Sequence, residues 1–286
     1  MNPRATNRLL LLAAALLFST GGAAIKACSV GPWQVAGFRS GVAALAVFAL
    51  APAARRGLSW RVVPVATAYA ATLILFVTAT KLTTAANAIF LQSTAPLYVL
   101  ALGLVLLHER IRRSDLVLAA AVATGLSLFF AARQGALATA PDPARGDLLA
   151  LLSGVAWALT IVGLRWLGRR SDGGGAIATV ALGNAIACLI SLSAALPIPH
   201  TRWTDWLVIA YLGLVQIGLA YYCLTRAIAH VPAFEATTLL LLEPALNPVW
   251  VWLVHGERPA TLALAGGALI LTATLVHTWH ESRRAP

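Results

Sequence analysis

Charge is what this sequence has least of. Only 11% of its 286 residues are charged, and just ten of them are acids. A soluble domain carries roughly a quarter charged residues to cover its surface, so this chain cannot clothe a water-facing exterior of ordinary composition. Cysteine is also scarce. Cys28, Cys188 and Cys223 lie far apart with no CxxC spacing, which argues against a zinc site and a disulfide framework and leaves them as small buried hydrophobes. There is no His-Glu-x-x-His, no Asp-x-x-x-Asp and no Walker A run. The six histidines fall at the ends of apolar runs or between them. No metal, cofactor or catalytic residue is therefore expected. An intramembrane enzyme stays open only as the rival class, and a primary pump would need a separate ATPase subunit.

Apolar residues are what the chain has in plenty: 59% of it is hydrophobic, and its mean hydropathy is +0.81. The net charge of +11 does not point to nucleic acid, because the Arg residues sit between apolar runs and form no basic face. A helix needs about 20 apolar residues to cross a bilayer. Reading between charge and turn clusters gives ten spans: 7–27, 33–53, 62–81, 84–107, 115–132, 147–167, 175–196, 204–225, 232–254 and 260–280. The first run, Leu9 to Ile25, resembles a signal peptide but is too long and is followed by Lys26, so it reads as a retained span. With the N-terminus in the cytoplasm, 14 basic residues lie inside. Six lie outside (Lys26, Lys81, Arg133, Arg145, Arg202 and Arg258), and Arg39 lies within a span, which accounts for all 21. The positive-inside rule then puts both termini in the cytoplasm and the 133–146 linker outside.

The chain also repeats itself. Pro96 is followed thirteen residues later by Glu109-Arg110, and Pro244 thirteen later by Glu257-Arg258, an offset of 148. Phe18 aligns with Trp157, and Lys26 with Arg165, at an offset of 139. Each half holds five spans, an odd number, so the second half enters the membrane upside down. Inverted repeats of this kind recur in secondary transporters.

These residues carry a resemblance. The Pro–x12–Glu–Arg endings of spans four and nine, the Phe38-Arg39 pair and Glu243-Pro244 resemble the EamA-type branch of the drug/metabolite transporter superfamily. The resemblance covers two halves, 8–132 and 147–280, and within that branch is greatest to bacterial exporters of aromatic amino acids. It implies an all-α integral membrane protein of ten helices, a monomer in the cell inner membrane. It further implies export of amino acids, and of some hydrophobic cations, by alternating access. A multidrug or other small-metabolite exporter of the same superfamily is the alternative.

A site near the midplane would draw on polar and aromatic residues within the inner spans. Span three offers Thr72, Phe76 and Thr80 on one helix face. Span four offers Asn87, Gln92, Thr94 and Tyr98, span six Trp157 and Thr160, and span eight Gln216, Tyr221 and Tyr222. From these, Phe18, Phe76, Thr80, Gln92, Tyr98, Trp157 and Tyr222 are taken as substrate-binding. Trp157 suits cavity lining and helix packing equally. The gating or conformational-switch roles fall to Arg39, Glu243, Pro96 and Pro244. The prolines remove backbone hydrogen bonds in mid-span, which serves a gating bend or a static kink. Arg39 lies shallow enough to snorkel outward. Glu243, near the centre of span nine, is expected to act as a switch, pairing with Arg39 in one state and carrying a proton in the other.

Overall fold

In hydrocarbon a backbone can satisfy its polar groups only by bonding within its own helix or in a closed barrel, and this chain takes the helical solution. The computed structural model describes residues 3–108, 112–131, 140–170, 174–198, 201–256 and scattered positions between 261 and 276. Among them there is no strand. Eight helical stretches are long and apolar enough to cross a membrane. The tenth expected span lies largely outside the described residues, as do 133–139 of the linker and the Glu109 and Glu257 of the repeat.

Several spans are interrupted. The first is α1 (Pro3–Ser19) followed by α2 (Gly21–Ala27). Next come α3 (Pro32–Leu50), the short α4 (Pro52–Arg56) and α5 (Val62–Leu82). The fourth span is split into α6 (Ala85–Gln92) and α7 (Ala95–Leu106), and α8 (Arg113–Ala131) closes the first half. The second half opens with α9 (Pro143–Arg170), which starts within the expected linker because Asp142 caps it: its carboxylate accepts from Arg145 N at 3.2 Å. After α10 (Gly174–Ala195), the next span runs as α11 (Trp203–Tyr211), a π-helical segment (Leu212–Leu219) and α12 (Ala220–Ile228). The ninth is split into α13 (Ala233–Leu239) and α14 (Leu242–His255).

The packing of the halves is reciprocal. If spans one to four exchange with six to nine, α1 on α12 becomes α9 on α5, and α3 on the π-helical segment becomes α10 on α5; all four contacts are present. The α3–α10 pair maps onto itself. The two split spans meet with α6 against α14 and α7 against α13, so they run antiparallel. The side chains buried between the halves include Tyr69, Phe90, Ile161, Ile217 and Leu224. What the scaffold places at its middle is therefore a set of broken helices.

Candidate functional site

Two of the breaks, α1–α2 and α6–α7, carry residues that offer the backbone a local partner. Ser19 Oγ donates to Leu16 O at 2.6 Å and Thr20 Oγ1 to Leu17 O at 2.8 Å. Ser93 Oγ donates to Ile89 O at 2.6 Å and Thr94 Oγ1 to Leu91 O at 2.7 Å. Hydroxyls in such positions compete with the helical ladder. Pro96 and Pro244 follow the breaks and sit in the first turns of α7 and α14, where an N–H would have no helical acceptor. They start new helices instead of kinking continuous ones.

Glycines let neighbours enter the breaks. A Cβ on Gly21 would lie 2.7 Å from Gln216 Nε2, and one on Gly22 would lie 2.6 Å from Asn247 Nδ2. Asn247 uses that room to donate to Ser19 O at 3.2 Å, satisfying a carbonyl freed by the break. Gly154 does the same for the α6–α7 break. Its Cβ would stand 3.0 Å from Thr94 Oγ1 and 3.1 Å from Gln92 O.

Between these interruptions lies a small, partly open cavity lined by residues of both halves. One wall is aromatic. The Phe18 and Tyr221 rings are 4.9 Å apart, and Trp157 stands edge-on to both at 6.3 and 6.1 Å. Tyr69 backs Tyr221 at 4.7 Å and accepts a hydrogen bond from Asn184 Nδ2 at 3.0 Å. The rest of the lining is polar or mixed: Arg39, Thr72, Gln92, Gln216 and Glu243, with Leu73, Phe76 and Ile217. A second, smaller space shares Gln92, Trp157 and Glu243 and extends to Pro96, Thr237 and Pro244.

Arg39 is only 1% exposed, so it does not snorkel; it turns inward under α5, α10 and the π-helical segment. Its guanidinium donates to Gln216 Oε1 at 3.5 Å and Leu73 O at 3.4 Å, and its Nε has no partner. Glu243 lines the same cavity. Among the described residues no ion pair joins the two.

Of the other residues expected at the site, Phe18, Phe76, Gln92 and Trp157 line the cavity. Gln92 Nε2 donates to Ser153 Oγ at 2.7 Å, which in turn donates to Thr72 O. Thr80 is fully buried but bonds only to Phe76 O of its own helix. Tyr98 is partly buried against the hydrophobic core. Tyr222 is 42% exposed, with the Arg226 guanidinium 4.8 Å from its ring centre, and its neighbour Tyr221 takes the cavity position. Tyr69 and Asn184 were not singled out from the sequence. Their only signal was polarity within an apolar span.

Both ends of the bundle are tied. At one, Asp205 accepts from Ser29 N at 2.7 Å and Ser29 Oγ at 2.6 Å, and Lys81 Nζ donates to Cys28 O at 2.7 Å. Burial pushes the Cys28 thiol up to about 11. At the other end Arg8 Nε meets Glu235 Oε1 at 2.7 Å.

The model of the EamA-like transporter family matches residues 7–131 and 144–279. A 63-residue segment is 41% identical to the uncharacterized transporter YdfC of Bacillus subtilis, covering 22% of this chain and 21% of that one. Another of 149 residues is 36% identical to the uncharacterized protein PA1977 of Pseudomonas aeruginosa, covering 48% and 49%. The chain thus spans about a fifth and about half the length of these relatives. A crystal structure of another protein superposes over 99% of both chains with a TM-score of 0.73 at 20% identity, a likeness of fold.

Proposed function

We propose that this chain, which belongs to the EamA-like transporter family, exports amino acids, aromatic ones among them, across the bacterial inner membrane by alternating access. Membership makes it a membrane transporter of small molecules. The finer reading is carried by one observation. The central cavity joins an aromatic wall of Phe18, Trp157 and Tyr221 to Arg39, Gln92, Gln216 and Glu243. An amino acid presents both kinds of surface at once. A sugar phosphate would call for several convergent cations, whereas Arg39 is the one cation among the described residues of this lining.

The proposal includes the ten-span, inverted-repeat topology with both termini in the cytoplasm. Its support is the 14-to-6 split of basic residues and the antiparallel meeting of the two split spans. In such a scaffold, rocking one repeat against the other exposes a midplane site to each side in turn. Gln216 lies on the π-helical segment, a local distortion frequently found at functional sites.

Counterflow in proteoliposomes tests the reading. Vesicles preloaded with an unlabelled amino acid are expected to accumulate its labelled form well above protein-free vesicles, with phenylalanine, tyrosine or tryptophan among the substrates. Counterflow of a hydrophobic cation with none for any amino acid would move the protein to the multidrug class of the same superfamily. A cation would use the aromatic wall and Glu243 while leaving Arg39 idle.

A further inference from the structure

The cavity lining holds one basic and one acidic side chain that do not touch. Arg39 is 1% exposed and lacks an anion: it has two long bonds to neutral acceptors, at 3.5 and 3.4 Å, and an Nε with none. A guanidinium offers five donors, and a buried cation is normally paired because leaving it unpaired is costly. Glu243, on α14 of the other half, is the one acid among the described residues of the lining. Its carboxylate has no hydrogen bond or ion pair with any described residue. A free anion would satisfy Arg39 and strand Glu243, and a free cation would do the reverse. A ligand carrying a carboxylate and an ammonium satisfies both.

We infer that Arg39 and Glu243 are the two poles of a zwitterion site, Arg39 receiving the substrate carboxylate and Glu243 the ammonium. The planar fork of Arg39 suits a carboxylate, and Gln216, already beside it, adds an amide. The Phe18–Trp157–Tyr221 wall takes the side chain. The poles come from opposite halves, α3 and α14, so a bound zwitterion bridges them. The assignment rests on the amino acid reading and makes Glu243 a substrate ligand, where the sequence alone suggested a switch paired with Arg39.

The test uses the purified full chain in detergent and three probes: L-phenylalanine, phenethylamine, which lacks the carboxylate, and 3-phenylpropionate, which lacks the ammonium. Titration calorimetry should give L-phenylalanine at least about tenfold tighter binding than either analogue, the scale of one charged hydrogen bond. Arg39→Gln is expected to bring L-phenylalanine and phenethylamine to similar affinities. Glu243→Gln should do the same for L-phenylalanine and 3-phenylpropionate. Equal affinities for all three probes in the wild-type protein overturn the assignment, as does a variant that weakens all three alike. Should Arg39→Gln fail to fold, the analogue series on the wild type and on Glu243→Gln still decides. Amino acid counterflow with a flat analogue series sinks the poles alone. No phenylalanine binding and no amino acid counterflow sinks the transport reading with them.

Discussion

The spans Ala85–Leu106 and Ala233–His255 are broken at equivalent places, yet they carry different chemistry there. At the offset of 148, Gln92 corresponds to Leu240, Ala95 to Glu243 and Pro96 to Pro244. Helices α6 and α13 end at or one residue before the first pair, and a proline opens the helix beyond each break. What the halves share is a proline in the first turn of the helix beyond the break. What they do not share faces the cavity. One half supplies an amide and the other a carboxylate. The two breaks are thus alike in their helix starts and different at the lining positions beside them.

The comparison can be broken at the scaffold first. Gly154→Leu would drive a side chain into the α6–α7 break, where even a Cβ meets Thr94 Oγ1 at 3.0 Å. Overpacking of that kind costs on the order of 3 kcal/mol and should show as a clear drop in the detergent unfolding midpoint. Glu243→Ala gives the second break the residue of the first. It is expected to lower amino acid counterflow about tenfold, the scale of one lost charged contact, with the unfolding midpoint unchanged. Gln92→Leu makes the opposite change. It removes the 2.7 Å bond to Ser153, so a loss of about 1 kcal/mol and a several-fold slower counterflow should follow. The smallest effect belongs to Pro96→Ala and Pro244→Ala. Both prolines sit where the missing N–H has no helical partner, so each should shift stability by less than about 1 kcal/mol. A loss of several kcal/mol from either would mean that the prolines, and not the hydroxyls and glycines, create the breaks.

Hydropathy and spacing made most of the fold legible, because a bilayer leaves few ways to satisfy a backbone. The breaks were harder to see. Proline marked two of them, but nothing in a hydrophobicity profile separates a kinked helix from two helices meeting end to end. Of the site, Phe18, Phe76, Gln92 and Trp157 were readable as polar or aromatic residues in mid-span. Three others do not line the cavity. Tyr222 lost its position to Tyr221 because the π-helical segment at Leu212–Leu219 adds residues to the turn and shifts the phase after it. Tyr98 follows the α6–α7 break, which resets the phase in the same way. Thr80 shares a helix face with Thr72, but eight residues of helix carry it about 12 Å away, beyond the cavity. Arg39 and Glu243 stood out as charges in apolar spans. Their failure to pair with each other depends on packing across the two halves and was invisible in one dimension.

Whether substrate occupies this cavity can be measured by protection from a thiol reagent. In a background without Cys28, Cys188 and Cys223, Thr72→Cys puts a thiol of nearly the same size in the lining. Ala144→Cys puts one on an exposed residue at the start of α9. Saturating L-phenylalanine is expected to slow N-ethylmaleimide labelling at position 72 several-fold and to leave position 144 unchanged. Equal labelling at position 72 with and without phenylalanine, in protein that still performs phenylalanine counterflow, would place the transport route elsewhere.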